Sequence, residues 1–421
     1  MKALFFLRHY NDIDHMTPVI AKWIETGHIC DVVMISKKRF DGDYRIEYLK
    51  HLQGVRLAHI RDLLPVFDFF MWRLQTLLLV RSSYRSFLKP LVMFLATIFR
   101  QEKRKKVWEK VSRYLLKRSF NDLNNGVVAF DWIERNSETA VEWVDVFVNL
   151  ARNQGLGVVS LPHGDSPHAS QLIRHGEWLL KPDVSFSAAG MFDRVVVPNA
   201  LCAIRFRPFL DDRKLVVLGS PRYCEEWLTK LKSLLPESPL QNSRSRLKIV
   251  LFLRKANFTT FWEELSEVVQ MLSTFEEVEL AIKPHTRGGW KQSFTKSAAI
   301  QHLKNVKIIE SDIHSIHLIH WADVVIDLAT SIAYEAIRAK KPLLAADYLH
   351  AGRSAAAQYM PETELRCRDD VYERIHHFLQ NGCENYYIEG NRQKFITEML
   401  ESPGTDVLPH YVGLLEALAS K

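Results

Sequence analysis

The chain has 421 residues, 47% hydrophobic and 25% charged, with a formal net charge of +7. This length exceeds one simple core and favours two domains, and the composition excludes a disordered or fibrous chain. Its five cysteines are far apart and form no CxxC pair, which fits reduced thiols better than a disulfide framework or a zinc site.

The opening "MKALFFLRHYND" has too short an apolar run for a signal peptide and no small-residue cleavage site, so it reads as a first strand of a cytoplasmic protein. "KALFFL" (2–7) is that strand; a loop, "RHYNDIDHM", leads to a helix from Thr17 with Pro18 in its first turn. "DVVMIS" (31–36) is a second strand. Residues 56–118 then form a basic, apolar insert with 15 Lys or Arg against 4 Asp or Glu. None of its apolar runs reaches the roughly 18 uncharged residues needed to span a bilayer. Arg73, Arg81, Arg85 and Lys89 interrupt those runs at helical spacing. Two readings fit: residues 63–106 lie as a basic amphipathic surface on the inner face of the cytoplasmic membrane, or they are core helices with solvated basic faces. The insert has no nucleic-acid motif, and no nucleic-acid partner is expected.

Strands follow at "GVVAFDW" (126–132), "GVVSLPHG" (157–164), "RVVVPN" (194–199) and "KLVVLGSPRY" (214–223). An amphipathic helix closed by Gly155 separates the first two. "LLPESPLQNSRSR" (234–246) is a linker, and the alternation restarts at "LKIVLFL" (247–253), "VELAIKPH" (278–285), "NVKIIESD" (305–312), "DVVIDLATS" (323–331) and "KPLLAADY" (341–348). The pattern predicts an α/β protein of two Rossmann-like, doubly wound domains facing across a cleft. The first spans 1–233 and carries the insert; the second spans 247–421 with terminal helices able to pack back across the junction.

Ligands of such folds sit at the carboxyl ends of the strands. Four strand ends carry polar groups: "LRHYNDID", "LPHGDSPH", "IKPHTRGG" and "DLATS". They supply His9, Asp12, Asp14, His163, Asp165 and His168 in the first half, and Lys283, His285, Arg287, Thr330 and Ser331 in the second. Thr330 and Ser331 are placed to cap a helix that favours a phosphate, with Glu335 one turn in and able to accept from ribose hydroxyls. Lys283, His285 and Arg287 alternate, so on an extended chain they share one face and suit a diphosphate. No GxGxxG follows the first strand, and GxxxxGK[ST], HExxH and GxSxG are absent. The fingerprints of dinucleotide oxidoreductases, P-loop hydrolases, zincins and serine hydrolases are therefore missing. No metal and no cofactor is expected.

"PHG" after a mid-chain strand, "LGSPR" near the end of the first domain, "KPH" in the second and "VVIDLATSIAYEAI" before "KPLL" resemble GT-B transferases. The closest branch is that of bacterial surface polysaccharides and teichoic acids, which includes the CDP-glycerol glycerophosphotransferases and capsule polymerases; the UDP-N-acetylglucosamine 2-epimerases share the architecture. The resemblance implies that His163 matches the histidine of the "HGT" motif and is the catalytic base. It places His285 on the donor's phosphates, and Thr330 and Ser331 where "SS" begins the phosphate-binding helix. The donor-binding set further takes in Lys283, Arg287, Glu335, Ser220 and Arg222; His9, Asp12 and Asp165 complete the catalytic set, with Asp12, Asp14 and Asp165 as rival bases. Asp165 replaces the threonine of the motif, which opens the donor to a sugar nucleotide. The implied partners are a nucleotide-activated donor and a saccharide or lipid-linked acceptor. The alternatives are a nucleotide-sugar 2-epimerase or hydrolase, and a non-catalytic scaffold that binds membrane or polyanion.

Overall fold

The computed structural model describes residues 1–36, 40–79, 94, 101–121, 123–135, 141–168, 173, 179–240, 245–254, 259–285, 290, 300, 302–310 and 313–420. They form two units. The first gathers Met1–Asp165, Lys181–Leu234 and Met399–Lys421; the second gathers Ser166–Leu180 and Leu235–Glu398. The terminal segment from Met399, assigned by sequence to the second domain, thus belongs to the first unit.

The first unit is built on a seven-stranded sheet in the order β3-β2-β1-β4-β5-β6-β7. Its strands are β1 (Lys2–Leu7), β2 (Ile29–Met34), β3 (Val55–His59), β4 (Val127–Asp131), β5 (Gly157–Leu161), β6 (Arg194–Val197) and β7 (Leu215–Val217). Every pairing is parallel. A parallel sheet is covered on both faces, which is why its strands read as unbroken apolar runs. Alternate residues of β1 serve opposite layers. Leu4 and Phe6 join Phe130, Trp143 and Phe147 on one face. Ala3, Phe5 and Leu7 join Ile13, Met16, Ile20 and Trp23 of helix α1 (Tyr10–Glu25) on the other. The terminal helix Val407–Ala419 packs into this second layer through Leu408, Tyr411, Leu415 and Leu418.

Two expectations are corrected here. The segment expected as a loop before Thr17 is helical from Tyr10, so Pro18 lies inside the helix rather than in its first turn. Asp12 compensates at the start, accepting from the backbone N–H groups of Arg8 (2.7 Å) and His9 (3.0 Å). The insert, for its part, begins with an edge strand, β3, paired to β2.

Three helices of the insert are described, Ile60–Leu63, Val66–Leu79 and Gln101–Phe120. Trp72, Trp108, Val111, Leu115 and Phe120 are buried in the first core layer, while Lys103, Lys105, Lys106, Lys110, Arg113 and Lys117 are exposed. This part of the insert is core helix with a solvated basic face. Val66, Phe67 and Phe70 are also exposed. Arg81, Arg85 and Lys89 lie outside the described residues. Among the described residues no helix is long and apolar enough to cross a membrane.

The second unit carries a five-stranded parallel sheet in the order β10-β9-β8-β11-β12. Its strands are β8 (Leu247–Phe252), β9 (Val278–Lys283), β10 (Val306–Ile308), β11 (Val324–Asp327) and β12 (Leu343–Ala345). Each sheet reverses its strand order once, between β1 and β4 in the first and between β8 and β11 in the second. Those reversals open crevices at the carboxyl ends of the strands.

Candidate active site

In the first unit the reversal brings together the ends of β1, β4 and β5. Arg8 and His9 follow β1, Asp131 ends β4, and His163 follows β5 by two residues. His163 Nδ1 lies 2.7 Å from Asp12 Oδ1 and 2.9 Å from Asp131 Oδ2. Arg8 grips Asp131 with two guanidinium nitrogens, Nε to Oδ1 at 2.8 Å and Nη2 to Oδ2, and reaches the Trp132 carbonyl at 3.1 Å. The Nδ1 proton is thus shared between two carboxylates, which fixes the ring's orientation and leaves Nε2 for chemistry. Nε2 lies 3.3 Å from the Asn11 amide nitrogen. The His163 side chain is 23% exposed, against 0% and 1% for the two carboxylates, so the imidazole is the part of the cluster that meets solvent. The His9 ring stands perpendicular to it, centroid to centroid 6.4 Å.

Burial disfavours a charged His163, but the two carboxylates outweigh burial and push its pKa up to about 9. The reciprocal effect holds Asp12 well below the usual carboxylate range, although burial opposes it. Arg8⁺, His163⁺, Asp12⁻ and Asp131⁻ balance in charge. Asp12, Asp131 and His163 also offer ligand atoms within 4.8 Å of one another. A dication there would compete with Arg8 and with the Nδ1 proton for the same oxygens.

The other residues named from sequence lie elsewhere. Asp165 is fully buried behind the turn, its Oδ2 3.3 Å from His15 Nε2 on α1, so the carboxylates that hold His163 are Asp12 and Asp131. Asp14 is bound by Arg45 and lies 3.2 Å from Arg222. Ser220 is buried, its hydroxyl accepting from Tyr223 N–H at 3.2 Å. Ser220 and Arg222 therefore have partners inside the first unit. His168 belongs to the second unit.

In the second unit, Lys283 ends β9 and donates to the Ile309 carbonyl at 3.5 Å; His285 follows it, and Arg287 lies outside the described residues. Thr330 does not cap the helix Ile332–Arg338: its N–H and its hydroxyl are both spent on Asp327. Ser331 stands at the N-cap position, and its side chain makes no capping hydrogen bond. Ala329, just before Thr330, has φ of +53°, a left-handed conformation uncommon outside glycine and a form of strain that functional sites retain. Glu335 is buried, and its Oε2 accepts from the Ser315 hydroxyl at 2.9 Å. Burial pushes the Asp327 carboxyl up to about 7, with Asp347 adding to the effect and Thr330 and Arg254 opposing it.

Three residues of the first site and one of the second are not anticipated by sequence: Arg8, Asn11, Asp131 and Arg254. Asp131 and Arg254 carry the same signal as the others, a charged residue directly after an apolar run ("VVAFD", "VLFLR"). Arg254 follows β8 at the reversal of the second sheet, beside Asp327 at the end of β11.

No family model matches the sequence, and no curated protein matches it significantly. Solved structures do match along the whole chain. UDP-GlcNAc 2-epimerase from Neisseria meningitidis, solved with UDP-GlcNAc, aligns at a TM-score of 0.58 and 11% identity over 100% of both chains. The calicheamicin glycosyltransferase CalG4 aligns at 0.52 and 14% identity over 100% of this chain and 98% of its own. The fold is GT-B. A further GT-B match, HepE of Anabaena in complex with UDP and glucose, aligns at 0.54 and 12% identity over 100% of both chains. At these identities the likeness is one of architecture, and the chemistry has to be argued from the residues.

Proposed function

We propose that this GT-B chain is a transferase that moves a sugar or polyol phosphate from a nucleotide-activated donor to a saccharide or lipid-linked acceptor. The observation that carries the reading is His163, held through Nδ1 by the buried Asp12 and Asp131 while its own side chain is partly exposed. A ring so held takes the proton of an acceptor hydroxyl as that oxygen bonds to the transferred group and the donor's phosphate leaves. Arg254, Lys283, His285 and Ser331 would take the donor's diphosphate at the second sheet, and Glu335, oriented by Ser315, its ribose. Cationic side chains there neutralise the leaving group in place of a metal. The uridine nucleotides in the Neisseria and Anabaena structures make UDP-sugars the first donors to test.

A second reading has its own support. With its pKa pushed up to about 9, His163 rests as an imidazolium at neutral pH, which suits a proton donor to the leaving group in an epimerase or hydrolase. Consumption of UDP-sugar with and without added saccharide acceptors separates the two. Acceptor-dependent release of UDP, abolished in His163→Ala, supports transfer; acceptor-independent turnover supports the second reading. Undiminished turnover by His163→Ala excludes both roles for the ring.

A further inference from the structure

We propose that His350 is a positioning residue for Arg254, holding the guanidinium as a neutral ring and releasing it on protonation; this rests on the reading of Arg254 as a diphosphate ligand. Arg254 Nη1 lies 3.1 Å from His350 Nδ1, and the Gly352 N–H donates to the same Nδ1 at 2.9 Å. A guanidinium and a peptide N–H have no acceptor to offer, so Nδ1 must be the acceptor of both and carries no proton. The ring proton is therefore on Nε2, which faces Asp347 Oδ1 at 3.3 Å. The residue is buried, 3% exposed.

Gly352 belongs to the same device. A Cβ there would lie 2.5 Å from Arg254 Nη1 and 3.1 Å from His350 Nδ1, so the seat of the guanidinium depends on the missing side chain. The charged groups around the ring are Arg254 at the end of β8, and Asp347 and Arg353 from its own segment. Asp347 also accepts from Ser354 N–H at 2.8 Å and lies 3.7 Å from Arg353, which pairs with Glu364 at 2.7 Å. Asp327 acts on Arg254 in turn. Burial lowers the pKa of His350 from its ordinary value, with Asp347 opposing and Arg254 and Arg353 adding. A proton on Nδ1 would set it against two N–H donors, and the guanidinium is the one able to leave.

The test is UDP binding by calorimetry between about pH 5 and 8, the span in which a histidine changes charge, on the wild type, His350→Asn and Gly352→Ala. Asparagine places an acceptor oxygen where Nδ1 stands and does not titrate. The phosphate's own titration is common to all three proteins and cancels between them. The wild type is expected to lose affinity toward acid pH by about tenfold or more relative to His350→Asn. Gly352→Ala is expected to bind weakly at every pH. Parallel pH curves for the wild type and His350→Asn would overturn the proposal. Nitrogen-15 spectra of the free protein, with the His350 signals identified by their loss in His350→Asn, decide it without any nucleotide. An Nε2–H tautomer that persists below about pH 6 supports the latch; an Nδ1–H tautomer, or an imidazolium already at about pH 6.5 as in a free histidine, overturns it. If no nucleotide binds the wild type, the reading of Arg254 falls, and these spectra still show whether His350 holds it.

Discussion

His163 shares one N–H between two carboxylates, and the consequences can be measured. Its folded pKa lies above the unfolded value, so the ring adds stability that is complete below about pH 6.5 and is lost as pH rises through about 9. The melting temperature of the wild type should therefore fall between pH 7 and about 10 more steeply than that of His163→Gln; identical slopes would show that the ring is not charged at neutral pH. The same value sets the rate profile. If His163 is a base, kcat/KM rises with pH about tenfold per unit and levels near pH 9; if it is an acid, kcat/KM is flat and falls above that value. Asp131→Asn removes one of the two carboxylates and should move either inflection to lower pH. An inflection that stays in place would mean that Asp131 does not act on the ring.

At the scale of elements, the terminal helix Val407–Ala419 lies against the first sheet so closely that a Cβ at Gly157 would fall 2.4 Å from the Leu418 carbonyl oxygen. Gly157→Ala should cost about 1–3 kcal/mol of stability through overpacking, measured by denaturant unfolding, while an unchanged midpoint would place the helix elsewhere. Element types were largely legible, because buried parallel strands must be continuously apolar and amphipathic helices must repeat every three or four residues. Among those that were not, two show why. The start of α1 is polar, "YNDIDH", and forms because Asp12 satisfies the N–H groups of Arg8 and His9, a contact that composition does not display. Strand β3, "VRLAH", is short and half exposed at a sheet edge, so its pattern is weak and merges into the basic insert.

At the scale of the molecule, reading strand ends led to the reversals of both sheets, because a parallel sheet places its ligands there whatever the chemistry. It did not pair the residues. Asp131 stands 32 positions before His163 and Arg8 stands 123 before Asp131, and only the β1–β4–β5 order makes them neighbours. Asp165, two residues from His163 in sequence, turns to His15 instead. The GT-B fold joins these two sites in one chain, and the claim that matters most is that the second unit takes a nucleotide-activated donor. The most direct test is thermal unfolding of the wild type and Arg254→Ala with UDP, UDP-GlcNAc, CDP, GDP and ADP. A nucleotide at a hundredfold over its dissociation constant should stabilise the wild type by roughly 2.7 kcal/mol, and substantially less in Arg254→Ala. A wild type that responds to none of them would contradict the donor reading and leave a GT-B scaffold without the substrate proposed for it.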